Sequence, residues 1–371
     1  MKIGLYSPYF PKHLGGGEKY LLDVAQVLQQ YGQVYLATGS QSLSPTNTKK
    51  IWQKYERFMG KKLTGLELIQ SPLFEQSSLN DRLSWSKQFD LLYAFTDGSL
   101  FANLAKKSVL HIQTPLKRAP LSFAEKLKSL TWNFVNTNSD FTRRVVEKHW
   151  HLPVSAVHYP MVDVAQFEKL AAGAKKQKVI LHVGRFFRQL HSKRQDALVK
   201  FFRELIKKHP KESKGWQLVL IGSVEDENYA KEVAKLAKGR PIKIIHQVSR
   251  AELNKWYAKA SIYWHATGFG VDQTQYPEKM EHFGISTVEA MASGAVPVVI
   301  NQGGQPEVLG AELQELLWND QSDCLAKTMM LMNNKEQRQE LARQAQVRAQ
   351  QFSPEQFENQ LRTMMQKLEL I

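Results

Sequence analysis

Short apolar runs recur through the first half of the chain: "KIGLYSP", "QVYLATG", "LELIQ", "FDLLYAF", "SVLHIQ" and "NFVNTN". Segments with apolar residues at helical spacing separate them. Runs of this length bounded by turn residues read as strands covered on both faces, and the segments between them as helical crossovers. A stretch rich in Pro, Ala and Lys, "VSAVHYPMVDVAQFEKLAAGAKKQK", reads as a connection, and the pattern then restarts with "VILHVGR", "WQLVLIGS", "IKIIHQV", "SIYWHA" and "AVPVVI". The pattern predicts an α/β protein of two doubly wound parallel-sheet domains, Rossmann-like, over residues 1–159 and 160–353. Beyond Ser353, "EQFENQLRTMMQKLEL" has the period of a helix, expected over 354–371 and packed back on the first domain.

Open parallel sheets bind ligands beyond the carboxyl ends of their strands, so two such sheets facing each other would enclose an interdomain cleft lined by their loops. The distinctive stretches fall at predicted strand ends. "GGGEKY" follows the first strand, "HIQTP" ends the fifth, "GRFFRQLHSKRQ" ends the first strand of the second domain, and "EKMEHFGISTVEAMASGAVPVVI" spans 278–300 before and into a helix. In the last of these, Glu281 and Glu289 stand with seven residues between them. Gly284 allows a tight turn, and the helix amides from Ile285 through Ser286 to Val288 would offer a positive end to a phosphate. Paired carboxylates on either side of such a phosphate suit the hydroxyls of a ribose and of a second sugar. The alternative for Glu289 is structural: Ser286 followed three residues later by Glu289 is also a capping-box spacing.

Composition narrows the class. The chain has 371 residues, 43% hydrophobic and 23% charged, which is ordinary globular material of about two domains. No run of some eighteen apolar residues is present, and the amino terminus alternates like a strand, so neither a membrane span nor a secretion signal is expected. The single cysteine, Cys324, permits no internal disulfide and suits the cytoplasm. A formal charge of +15 calls for an acidic partner. Two basic stretches with interleaved apolar residues, 49–62 and 106–132, lie in the first domain and point to an anionic membrane surface, with a peripheral location on the membrane's cytoplasmic face. No nucleic-acid recognition motif accompanies them, and nucleic acid is not an expected partner.

These motifs together resemble family 4 of the retaining glycosyltransferases, which carry the glycosyltransferase B-type fold. The resemblance runs through "GGGEKY", "HIQTP", "HYPMVDVAQF", "VGRFFRQLHSKRQD", "SIYWHATGFG", "EHFGISTVEAMASGAVPVV" and "GGQPEVL", nearly the whole chain. It implies transfer of a sugar from a nucleotide sugar to a glycan or lipid-linked acceptor with retention of anomeric configuration. "EHFGI" and "GGQPEV" are similar to mannosyltransferases that use GDP-mannose, though relatives with UDP-linked donors share nearly the same motif. By the same resemblance Arg185 and Lys193 grip the donor diphosphate, Glu289 holds the ribose, Glu281 the transferred sugar, and Gly16 and Gly17 approach the phosphates. His111, at a strand end, would lie over the donor sugar, and the base would sit near Gln247 and Val248. Asp97 and His265, read as equally exposed strand ends, are candidates for the sugar or acceptor pocket; a turn-forming or structural role is the alternative for each.

No D-x-D triplet and no His or carboxylate cluster has metal-ligand spacing, so neither a metal nor another cofactor is expected. A dinucleotide-dependent oxidoreductase would need G-x-G-x-x-G after the first strand, which "GGGEKY" lacks. A phosphorylase on the same fold would need a pyridoxal-binding lysine motif, for which the sequence offers no candidate.

Overall fold

The structure, a computed structural model, describes residues 1–12 and 14–371. It divides into two compact units, Met1–Met161 with Phe357–Ile371, and Val162–Gln356.

The first unit runs β1 (Lys2–Tyr6), α1 (Gly16–Leu28), β2 (Gln33–Thr38), α2 (Pro45–Met59), β3 (Leu66–Gln70), α3 (Leu79–Lys87), β4 (Leu91–Thr96), β5 (Lys107–Ile112), α4 (Phe123–Ser129), β6 (Phe134–Thr137), α5 (Asp140–Trp150) and β7 (Ala156–Val157). Its strands form one sheet in the order β3-β2-β1-β4-β5-β6-β7, with parallel pairing throughout. Strand β4, "LLYAFT", is buried along its whole length. Alternate side chains explain why: Leu91, Tyr93 and Phe95 enter the core on one face, and Leu92 and Ala94 the core on the other. A strand covered on both sides reads as a continuous apolar run.

The second unit runs α6 (Val164–Ala172), β8 (Val179–Val183), α7 (Gln195–Lys208), β9 (Gln217–Ile221), α8 (Glu227–Ala237), β10 (Ile242–Ile245), α9 (Arg250–Lys259), β11 (Ile262–His265), α10 (Ile285–Ala292), β12 (Val296–Ile300), α11 (Gln305–Leu309), β13 (Leu317–Trp318), α12 (Gln321–Asn333) and α13 (Lys335–Ala349). Its parallel sheet has the order β10-β9-β8-β11-β12-β13, so strand order reverses between β8 and β11, the switch point where open sheets leave a crevice. The last helix, α14 (Pro354–Lys367), belongs to the first unit from Phe357 onward. Its Phe357, Leu361, Met364 and Met365 join Ile3, Leu5 and Tyr20 in one core cluster.

One expectation changes. The stretch read as a connection contains β7 and helix α6, whose buried Val164 and Phe167 pack it onto α9 and α10. The apolar residues of the two basic stretches join different cores. Ile51, Trp52, Phe58 and Met59 of the first lean on the core at one face of the sheet, whereas Leu121 and Trp132 of the second belong to the core at the other. Among the described residues no helix is long and apolar enough to cross a membrane.

Candidate functional site

The switch point of the second unit gathers most of the residues singled out above. Helix α10 starts from Gly284, whose φ of 116° lies in a region that favours glycine. A Cβ there would also come within 2.3 Å of Gln305 Nε2. The first turn is held from outside the helix: Tyr263 donates its hydroxyl to Ser286 Oγ at 2.8 Å, and Thr287 Oγ1 donates to Gln305 Oε1 at 2.9 Å. The segment before Gly284 rests on the "GGQPEVL" glycines. Gly304 N–H donates to the Glu281 carbonyl at 2.8 Å, and a Cβ on Gly303 would meet that same oxygen at 2.3 Å. A side chain at 303 would push on Glu281, and one at 304 on His282 and Phe283 beside it.

Glu281 is the centre of a compact charged cluster. Lys193, from the loop after β8, reaches its Oε2 at 2.5 Å, and His265, at the end of β11, donates its Nε2–H to the same oxygen at 2.7 Å. Thr267 Oγ1 lies 3.2 Å from that histidine nitrogen and 3.4 Å from the carboxylate. Lys193 and Glu281 are only 13% and 15% exposed, and His265 is wholly enclosed. Burial alone would raise the Glu281 pKa, but the Lys193 charge and the His265 hydrogen bond outweigh it and hold the carboxyl well below its usual range. His265 is pushed down by burial, so it stays neutral and its Nε2 keeps the proton. Its Nδ1 is left buried without a hydrogen-bond partner among the described residues. Both strong donors end on Oε2, which fixes the carboxylate and directs the remaining oxygen away from them.

Glu289 lies inside α10 and is only 5% exposed. The helix begins at Ile285, with no side-chain cap at its start, and the Glu289 carboxylate accepts from Arg250 Nη2 at 2.5 Å. The capping alternative is therefore not the observed arrangement: Ser286 is already inside the helix and engaged with Tyr263. Arg250 opens α9, and its guanidinium lies 5.4 Å from the centre of the Phe167 ring. Sequence reading passed over Arg250 because it sits inside a genuine capping box, Ser249 with Glu252. Its position just past a strand end was the available signal. Val248 is half-buried in the same loop, after Gln247, whose φ is 55°.

The cations of the loop after β8 go to different places. Arg185 pairs with Glu225 at 2.9 and 3.2 Å, donates to His191 Nε2 at 3.2 Å and stacks on Phe187. Arg188 binds Glu232, and Arg194 binds Asp196 and the Phe269 carbonyl. Lys193 is the loop cation that meets Glu281. The structure brings Lys193, Glu281, His265 and the start of α10 together, while Arg185 is turned to Glu225.

In the first unit, Gly16 and Gly17 form the start of α1, and a Cβ on Gly17 would meet Gln113 Oε1 at 2.6 Å. His111 is entirely buried, its ring stacked 4.3 Å from that of Tyr20 and bonded through Nδ1 to Asn136 Oδ1 at 2.9 Å. Burial pushes its pKa down to about 3. His265 and Asp97 differ in exposure, contrary to expectation: β11 is covered on both faces, whereas Asp97 lies exposed past β4 and closes its own turn onto Ser99 N and Oγ at 3.0 and 2.7 Å. Among the described residues no group of three or more His, Cys, Asp or Glu is placed to hold a metal ion.

A sheet reversal, a glycine-started helix and two largely buried carboxylates, each met by a cation, thus lie together at the strand ends of the second unit. Residues 165–348, just under half of the chain, match the family of glycosyl transferases group 1. It is 28% identical over 200 residues to the GDP-Man:Man(3)GlcNAc(2)-PP-Dol alpha-1,2-mannosyltransferase of Neurospora crassa, a match covering 46% of this chain and 33% of that protein. The match thus spans about a third of that relative's length. The crystal structure of Anabaena Alr3699/HepE in complex with UDP and glucose superposes with a TM-score of 0.68 at 17% identity, over 99% of each chain. A glycosyltransferase from Rickettsia africae gives 0.73 at 14% identity, over 99% of this chain and 98% of that one. At such identities these two structures establish a shared fold, the glycosyltransferase B-type.

Proposed function

We propose that the chain is a retaining hexosyltransferase that moves a sugar from a nucleoside-diphosphate donor to a glycan or lipid-linked acceptor, with GDP-mannose the favoured donor. The observation that carries the reading is the Glu281 carboxylate, clamped by Lys193 and His265 on one oxygen at the mouth of α10. In this reading the second unit binds the donor and the first takes the acceptor. The diphosphate meets the α10 amides near Gly284, with Lys193 and Arg185 as cations. Glu289 accepts from ribose hydroxyls, and the unclamped oxygen of Glu281 accepts from a hydroxyl of the transferred sugar. Binding then requires Lys193 to share its charge between Glu281 and phosphate, and Arg185 to leave Glu225.

The reaction is a same-face displacement. The bond from the anomeric carbon to the phosphate oxygen breaks as the acceptor oxygen bonds to that carbon, and the departing phosphate oxygen takes the acceptor proton. Fixed positive groups stabilise the charge that develops on the leaving group. Mannose is favoured by the GDP-mannose-dependent activity for which the Neurospora relative is named. A UDP-linked donor is the second reading, favoured by the nucleotide bound in the Anabaena protein. The single cysteine, buried in α12, accords with work in a reducing cytoplasm.

A panel of nucleotide sugars, scored by the rise in melting temperature, tests the donor: a ligand at about a hundred times its Kd stabilises by about 2.7 kcal/mol. GDP-mannose should give the largest shift, and proton spectra of the first-formed product should show the donor's anomeric configuration retained, with chelator present throughout. An inverted linkage, or activity lost to chelator and restored by manganese, rejects the mechanism.

A further inference from the structure

Helix α4 of the first unit buries none of its residues. Phe123, Leu127 and Leu130 are 78%, 52% and 80% exposed, and steps of four and three residues put them on one side of the helix and its C-cap. Lys126 and Lys128 fill its last turn. The stretch 106–132 has one acidic residue, Glu125. That carboxylate is occupied by Arg118 Nη2 at 2.6 Å and by the capping box with Ser122. The lysines therefore stand beside an open apolar stripe with no carboxylate available on their own helix.

The contrast with α2 decides which basic stretch can act this way. There Ile51, Trp52, Phe58 and Met59 are turned to the core, leaving a polar outer face. An exposed apolar stripe flanked by lysines needs a partner that is apolar at depth and anionic at its rim. A second copy of this chain would bring lysine against lysine on a molecule of formal charge +15. We propose that α4 seats the first unit on an anionic lipid bilayer, with Phe123, Leu127 and Leu130 at the boundary of headgroups and acyl chains and Lys126 and Lys128 against lipid phosphates. This deepens the reading of a membrane-borne acceptor, and it is measurable with no substrate present.

The full chain is floated with vesicles of phosphatidylcholine and phosphatidylglycerol, and with vesicles of phosphatidylcholine alone. It should rise with the anionic vesicles, less so in high salt, and little with the neutral ones. Combined Phe123→Ser, Leu127→Ser and Leu130→Ser should cut recovery at least about tenfold. Lys126→Glu with Lys128→Glu should do the same, whereas Lys49→Glu with Lys50→Glu on α2 should stay within about twofold. All these positions are at the surface, and an unchanged melting temperature verifies the fold. Equal recovery on both vesicle types, full binding by the triple serine variant, or loss of binding only in the α2 variant overturns the proposal. So does a concentration-dependent dimer abolished by the serines without vesicle binding. The transferase reading fails separately, if no nucleotide sugar raises the melting temperature of a chain that still floats.

Discussion

Lys193 and Glu281 share a hydrogen bond of 2.5 Å while both are mostly buried, and such a pair costs desolvation that geometry must offset. In the proposed reading the pair serves the donor, Lys193 meeting its diphosphate and Glu281 its sugar. Lys193→Ala should lower kcat at least about a hundredfold in a folded protein, the scale of removing one preorganised donor to a transition state. The two glutamates should separate under the same test. Glu289→Ala should chiefly raise the Kd for nucleotide, measured by calorimetry, and Glu281→Gln should chiefly lower kcat at unchanged nucleotide affinity. Near-normal turnover in Lys193→Ala, or identical effects of the two glutamate changes, contradicts this division of labour. At this scale the sequence was informative about residue types at strand ends and blind to pairing. Nothing in the string indicates that Arg250 meets Glu289, that Arg185 turns to Glu225, or that His111 is packed beneath Tyr20. Each pairing depends on side chains brought together across sequence by the sheet.

At the scale of elements, long strands were legible and short ones were not. Strands such as β4, β8 and β12 are covered on both faces, so their apolar runs stand out. The two-residue strands β7 and β13 carry no period, and α6 was hidden by the alanine and lysine composition of the segment that holds it. The aromatic residues of α2 were legible as amphipathic but not as core-facing. Helix α10 gives the clearest prediction of this kind. Gly284→Ala places a Cβ in a strained backbone region and within 2.3 Å of Gln305 Nε2, which should cost about 1 to 3 kcal/mol of stability. Because the same turn aims the first amides of α10, nucleotide affinity should fall as well. Denaturant titration with and without nucleotide distinguishes the two effects, and a variant as stable as the parent would remove the argument from backbone strain.

Over the whole molecule, buried histidines set the response to acid. Burial pushes the pKa of His111 and His182 down to about 3 and of His158 to about 4, against an ordinary value of about 6.5. Below that ordinary value the unfolded chain binds protons that the native state refuses, so unfolding free energy falls as pH falls. The loss starts near pH 6.5 and continues down to the native pKa values. Between pH 6.5 and 5 it amounts to about 2 kcal/mol for each such histidine. Denaturant midpoints at pH 7 and pH 5 should show a marked drop, and His182→Asn should flatten it if that side chain is tolerated. A pH-independent midpoint would mean the three histidines do not stay neutral in the fold. The fold class was readable from the sequence at this scale, since alternating buried strands and crossovers leave few architectures open.

The placement of α14 bears on how the protein is made. Its Phe357, Leu361, Met364 and Met365 complete a core begun by Ile3 and Leu5. A ribosome therefore releases the whole second unit, Val162–Gln356, before it releases the residues that finish the first. Domains fold as units while the chain grows, at about 5 to 20 residues per second. The nascent first unit must then wait on the order of ten seconds or more with the core on one face of its sheet lacking the α14 side chains. During synthesis, the later-made half of this chain is the first that can be complete.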